Sequence, residues 1–262
     1  MEIRKFIEEH FKHFNAGELA RCAESLRGFL YDGGRLMVTL AGAMSTAEIG
    51  RSLAPAIKEH RVHAICCTGA NLEEDLFGLV ARSEYENIPN WRQQSADEDA
   101  KLADRGMNRI TDVAVPETTF TSIGKRLMVL WEEAEEVGDR RFPHEYIYDL
   151  LLHSEIEYSS NPEHSWLMSS ADANLPIFTP GWEDSTLGNL LAARVLDCSL
   201  RSPEIVKSGM ESMQALADWY REDDSPTGIL QVGGGIAGDF AISVVPMLRQ
   251  DAKVNVPLWA WF

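Results

Sequence analysis

A short apolar run, a turn of small residues and an amphipathic helix succeed one another four times in this chain, and that recurrence limits the fold more than any other feature. Leu36 to Leu40 passes through Ala41-Gly42-Ala43 into a helix expected to reach about His60. Val62 to Cys67 passes through Thr68-Gly69-Ala70 into one starting near Leu72. Pro176-Ile177-Phe178 leads through Thr179-Pro180-Gly181 to a helix with Leu187, Leu190 and Leu191, and Gly228 to Val232 leads through Gly233-Gly234-Gly235 to a helix ending near Arg249. Apolar runs separated by helices predict a doubly wound, mainly parallel α/β sheet with helices on both faces, and ligands in such folds sit beyond the carboxyl ends of the strands. The small-residue turns occupy that edge.

Other segments complete a single unit over residues 1–262, with an N-terminal helical part at 1–34 and an α/β core at 35–262. Apolar residues Ile3, Phe6, Ile7, Phe11 and Phe14, then Leu19, Cys22, Leu26 and Leu30, recur at helical spacing and predict two amphipathic helices broken near Asn15-Ala16-Gly17. Residues from about Ser83 to Asp112 read as polar and irregular. Helices are expected over Pro116 to Val137, Pro143 to Leu152 and Pro162 to Ala173, and Val256 to Phe262 reads as a further strand. The opening Met1-Glu2-Ile3-Arg4-Lys5 lacks the layout of a signal peptide, and no apolar stretch approaches the roughly 18 residues of a membrane span, so a soluble, cytoplasmic protein is expected.

Charge and cysteine usage narrow the partners. Against 24 Lys and Arg stand 41 Asp and Glu, a net charge of −17, which repels nucleic acid and attracts small cations such as polyamines. Cys22, Cys66, Cys67 and Cys198 suit a reducing compartment. His63 precedes Cys66-Cys67 within an apolar run, so core packing is expected there and no metal site. Asp97-Glu98-Asp99 and the acidic run Glu132 to Glu136 read as solvated helix faces.

Three motifs lie at the ligand edge. Gly233-Gly234-Gly235-Ile236-Ala237-Gly238 has the G-x-G-x-x-G spacing that lets backbone amides hold an anion, but it comes last in the chain and no acid ends the following run. Thr68-Gly69-Ala70-Asn71-Leu72-Glu73-Glu74-Asp75 puts three acids in an expected first helical turn. They read either as helix capping or as ligands for ribose hydroxyls and cationic amines. Trp182-Glu183-Asp184-Ser185-Thr186-Leu187-Gly188-Asn189 repeats the arrangement, with Asp184 or Ser185 as the cap. Hydrolase signatures are missing: there is no G-x-S-x-G, and Tyr148 stands where a zinc protease beginning His144-Glu145 needs its second histidine.

These strings, together with Leu40-Ala41-Gly42-Ala43-Met44-Ser45-Thr46-Ala47-Glu48 and Asn108-Arg109-Ile110-Thr111-Asp112, occur in an order that resembles the deoxyhypusine synthase family, specifically its bacterial branch, over essentially the full length. The resemblance implies a Rossmann-like sheet and a homotetramer of tight dimers whose active sites are lined by two subunits. It implies NAD held by Gly42, Ala43, Met44, Ser45, Thr46, Thr68, Gly69, Ala70, Glu74 and Asp184, and a polyamine beside Glu73 and Glu74. The implied reaction moves the aminobutyl unit of spermidine, by way of an imine on an enzyme lysine, to an acceptor amine.

The family's reactive lysine lies in a Trp-Gly-Lys segment for which no counterpart exists up to Phe262, so a truncated sequence without complete turnover is expected, and no catalytic residue is assigned. Two further substrate positions depart from the eukaryotic pattern: Asn189 stands in place of an aspartate and Asp239 in place of a histidine. The exchange would let Asp239 bind the amine end that Asn189, being uncharged, no longer attracts. The acceptor is expected to be a protein lysine, becoming deoxyhypusine, or a small amine such as putrescine, giving homospermidine. A non-catalytic scaffolding homologue is the remaining alternative.

Overall fold

The computed structural model describes residues 3–262, so the first two residues of the opening segment lie outside it. Helices α1 (Ile3–His10) and α2 (Phe14–Tyr31) come first. They are parted at residues 11–13, before the expected break, and Asn15-Ala16-Gly17 lies inside α2. A Cβ on Gly17 would sit 2.9 Å from the Lys12 carbonyl carbon, so this glycine permits close packing of the turn against the helix. Past Tyr31 the chain reverses through Gly33, whose φ of +87° suits the turn after a helix.

The core follows as β1 (Arg35–Leu40), α3 (Gly50–Lys58), β2 (Ala64–Cys67) and α4 (Gly69–Ala81). An inserted section holds β3 (Glu86–Asn87), α5 (Ala96–Asp104), β4 (Met107–Ile110), β5 (Val113–Pro116) and α6 (Glu117–Val137). Next come α7 (Pro143–His153), α8 (Trp166–Asp172), β6 (Ile177–Phe178), α9 (Thr186–Leu196), α10 (Gly209–Arg221), β7 (Thr227–Val232) and α11 (Gly235–Ile242). Beyond α11 helical backbone continues past Ser243 through one α-helical turn at Val244–Pro246 and a π-helical turn at Met247–Asp251, so the helix reaches the expected end near Arg249, with a local irregularity where Pro246 lacks an N–H.

Four parallel strands form the main sheet in the order β6-β2-β1-β7. The first three build outward in one direction and β7 returns to the far side of β1, so the topology reverses between β1 and β7. Alternation along the strands divides the core. Leu36, Val38, Leu40, Ile65 and Cys67 join one apolar cluster, and Met37, Ala64 and Cys66 join the other. Both faces are therefore covered, as the unbroken apolar runs anticipate. Cys66 and Cys67 belong to opposite faces, and burial pushes both thiols up, Cys67 to about 12. His63 accepts a hydrogen bond at Nδ1 from the Leu36 amide (3.0 Å), and no cluster suited to a metal occurs among the described residues.

Two local expectations are corrected. Residues 83–112 are not irregular: they contain α5, and β3 and β4 pair antiparallel with β5. These strands have four residues at most, β3 and β4 exposed or half-exposed and β5 mostly buried, too short to show an alternating pattern. The acidic runs are solvated helix faces, as expected, with local partners. Asp99 takes a bidentate pair from Arg109 (2.6 and 2.7 Å), Glu98 completes a capping box with Ser95, and Glu135 accepts from the Arg201 and Ser202 amides. The segment 256–262 runs beside β7 through one parallel bridge, Gly228 to Trp261, without forming a strand, and Pro257 has no N–H to contribute to a ladder.

Helix α3 packs with almost no clearance on the short turn Pro162–His164 that leads into α8: a Cβ on Gly50 would lie 2.1 Å from the His164 carbonyl oxygen. Gly50→Ala is expected to cost about 1–3 kcal/mol in denaturant unfolding. Gly209→Ala, where an added Cβ meets nothing within 4 Å, is expected to stay within about 0.5 kcal/mol of the parent or gain slightly.

Candidate active site

The four small-residue turns converge into a closed ring at the carboxyl edge of the sheet. Thr68 Oγ1 donates to the Gly42 carbonyl (3.1 Å), joining the turns after β2 and β1. A Cβ on Gly69 would lie 2.7 Å from Ser185 Cβ, so the turns after β2 and β6 touch. Cβ atoms added at Gly233 and Gly181 would lie 2.9 Å from Ala41 Cβ and 2.8 Å from Ile236 Cδ1 respectively, which brings the last turn against the first and third. Thr68, Gly69, Ala70, Asp184 and the Gly42 to Thr46 turn thus occupy one rim.

Asn71 holds the first turn in shape. It is fully buried; its Nδ2 donates to the Gly42 and Leu40 carbonyls (2.7 and 3.2 Å), and its Oδ1 accepts from the Ser45 amide (3.0 Å). Ser45 Oγ donates to the Asn71 carbonyl (2.7 Å) and accepts from Trp166 Nε1 (2.9 Å). Neither Asn71 nor Trp166 stands out in the sequence, because their partners lie far away along the chain.

Helix α4 begins at Gly69, capped by Thr68, so Glu73, Glu74 and Asp75 fall beyond its first turn and do not cap it. Consecutive helical residues are about 100° apart, so three adjacent acids must face three directions. Glu73 accepts from the Thr186 and Leu187 amides (2.9 and 2.8 Å) at the start of α9. Asp75 accepts from Ser165 Oγ and the Leu167 amide (3.1 Å) at the start of α8. Glu74 accepts from the amide and hydroxyl of Thr46 (3.3 and 2.7 Å). They are 5%, 7% and 7% exposed, and burial is the main cause that raises all three: Glu74 to about 7, Asp75 to about 6, and Glu73 upward despite its two amide donors.

In the third turn Ser185, not Asp184, caps α9, accepting from the Gly188 amide (3.0 Å). Asp184 is exposed. Asn189 donates to the Glu183 and Ser185 carbonyls (2.9 and 2.7 Å) and lines a groove of about 650 Å³ between α6 and α9. Asp239 is exposed on α11 and lines neither that groove nor the cavity beside Glu74.

Two chemistries fit this rim. Around Gly42, Gly234 and Gly235 a side chain would meet nothing within 4 Å, and α11, unlike α4 and α9, has no side-chain cap, leaving its first amides available to an anion. Beside it a cavity of about 300 Å³ is lined by Glu73, Glu74, Phe77 and Phe120, an acidic and aromatic surface suited to an alkylammonium ion.

Residues 7–258 match the family model described as deoxyhypusine synthase. The chain belongs to the deoxyhypusine synthase family. It is 30% identical over 226 residues to "Probable deoxyhypusine synthase 2" of Methanosarcina mazei, covering 85% of this chain and 60% of that protein. It is 26% identical over 263 residues to the "Deoxyhypusine synthase-like protein" of a Cyanothece strain, covering 95% of this chain and 63% of that one. The chain therefore spans about three-fifths of the length of these curated relatives. A crystal structure of a candidate deoxyhypusine synthase from Entamoeba histolytica superposes with a TM-score of 0.57 over 90% of this chain and 76% of that one, at 12% identity, a likeness of fold. The parallel sheet in a family of deoxyhypusine synthases is Rossmann-like, with helices on both faces.

Glu74 supplies a pH test. The unfolded chain releases this proton near 4.5 and the native state near 7, so the native state binds more protons between those values. Its contribution to stability is complete below the lower value and is lost as pH rises toward 7. Glu74→Gln, which keeps an oxygen for Thr46, is expected to melt above the parent at pH 7.5, with the gap closing near pH 5.5. Thermal unfolding at the two pH values measures it.

Proposed function

We propose that this chain forms the NAD- and polyamine-binding part of a deoxyhypusine synthase-type transferase, one that moves the aminobutyl group of spermidine to an acceptor amine. The observation that carries this reading is the adjacency of an uncapped, glycine-faced rim to an acidic and aromatic cavity, in a chain of this family.

On this reading the amides of Gly234 and Gly235 and the turn Gly42-Ala43-Met44-Ser45-Thr46 take the pyrophosphate, with Thr68, Gly69, Ala70 and Asp184 along the same rim. NAD bound there supplies a hydride acceptor that later returns the hydride. The chain's own residues orient and neutralise. Asn71 fixes the first turn, and Glu73 holds α9 against α4. Glu74 meets the ammonium group: its carboxyl, neutral or ionised near pH 7 in the free protein, becomes fully ionised as the cation arrives, because an adjacent positive charge stabilises the carboxylate. Walls provided by Phe77 and Phe120 exclude water from the methylene chain.

No Trp-Gly-Lys segment occurs in residues 1–262, so the proposal assigns these residues binding and orientation and places no covalent step on them. The acceptor is a protein lysine or a small amine such as putrescine. A homotetramer with sites shared between subunits, acting in the cytoplasm, belongs to the same reading. No helix among the described residues is long and apolar enough to cross a membrane.

Calorimetric titration tests the binding claims. The parent is expected to bind NAD. Gly234→Val, whose side chain enters open space at the rim, is expected to weaken NAD binding by about tenfold or more while spermidine binding persists. Equal NAD affinity in parent and variant, or none in the parent, contradicts the assignment.

A further inference from the structure

We infer that Glu117 is an anchoring carboxylate of the polyamine cavity, placed to hold one cationic end of a ligand whose other end is held at Glu74. The inference rests on the polyamine reading given above and adds to it a residue that sets preference for ligands bearing two separated charges. Glu117 is the first residue of α6, directly after Pro116 at the end of β5. An acid there is ordinarily explained by the helix dipole alone. Its setting goes further: it lines the same cavity of about 300 Å³ as Glu74, and Asn108 on β4 donates its side-chain amide to Glu117 Oε2, fixing the carboxylate at the cavity wall. The Glu117 amide is tied in turn to the Gly106 carbonyl (2.8 Å), so the antiparallel hairpin positions the start of α6 as a unit.

Three features of this cavity point to a cation brought from outside. Its carboxylates are Glu73, Glu74 and Glu117, and no Lys, Arg or His lines it; Glu117 and Phe120 also border the neighbouring groove between α6 and α9, where Lys125 and Arg194 lie, so Glu117 stands where the acidic cavity meets the mixed-charge groove. Glu74 is more than nine-tenths buried, yet both hydrogen bonds from Thr46 end on Oε2, and no donor among the described residues reaches Oε1. Phe77 and Phe120 meet edge-to-face with centroids 4.7 Å apart and line the same space. Aromatic surface suits methylene groups and the neighbouring ammonium charge, while carboxylates on α4 and at the start of α6 suit charged termini. A linear diamine or triamine has that pattern, and a monoamine has half of it.

The test is calorimetric titration of the NAD-saturated chain with spermidine, putrescine and butylamine, for the parent, Glu117→Gln, Glu117→Asp and Glu132→Gln. Glu117 is exposed, so its substitution leaves the core intact, and Glu132 lines only the adjoining groove. The expected result is an affinity for spermidine and putrescine lowered about tenfold or more by Glu117→Gln, and within about threefold of the parent for Glu117→Asp and Glu132→Gln. Butylamine binding is expected to be weak and unchanged by Glu117→Gln. Parent-like spermidine affinity in Glu117→Gln overturns the inference and leaves the polyamine reading standing, as does an equal loss for butylamine. A parent that binds no amine at all overturns that reading and the inference together.

Discussion

The burial of three consecutive carboxylates on one helix is the constraint on which the rest of the structure depends. Helix α4 is enclosed by α6, α8 and α9, and each of its acids finds donors on a different element: Glu73 on α9, Glu74 on the turn after β1, Asp75 on α8. Moving such groups from water costs several kcal/mol unless hydrogen bonds replace the lost solvation. The starts of α8 and α9 offer unsatisfied amides, and those amides need acceptors. Acid and helix end therefore satisfy one another, and α8 and α9 are held to α4 at the carboxyl edge of the sheet.

Glu74 departs from this reciprocity. Glu73 uses both oxygens on backbone amides, whereas Glu74 is served by Thr46 through one oxygen only. A largely buried carboxylate whose second oxygen opens only to the cavity is costly to ionise in the free protein and becomes favourable when a cation arrives. Residues that lower stability while serving a ligand are a recurring property of binding sites. In the proposed function the closed ring of turns adds the second half of the site, because a side chain at Gly42, Gly234 or Gly235 would meet nothing within 4 Å, which leaves room for an anion.

Much of this is legible in the sequence. The repeated passage from apolar run through small residues to helix specifies the parallel core, since buried strands and glycine-bearing turns leave local signals. The turns that stand out there meet in space because parallel strands put all their carboxyl ends on one edge. What stays hidden is non-local. Glu73 reads as a polyamine ligand, and nothing near it in the chain shows that Thr186 and Leu187 will take both its oxygens. Asn71 is hidden likewise, its function depending on Gly42 and Leu40. Strands β3 to β5 leave no signal because runs of two to four residues are too short to carry a period, and Gly17 suggests a break where it permits packing.

The central claim is that one rim holds an anion and a polycation next to each other. A crystal structure of the chain soaked with both NAD and spermidine tests it most directly. The account requires the pyrophosphate against the amides of Gly234 and Gly235 and an amine nitrogen within hydrogen-bond distance of Glu74. Density for the amine in the groove lined by Lys125 and Arg194, or for the dinucleotide away from the glycine turns, would contradict it.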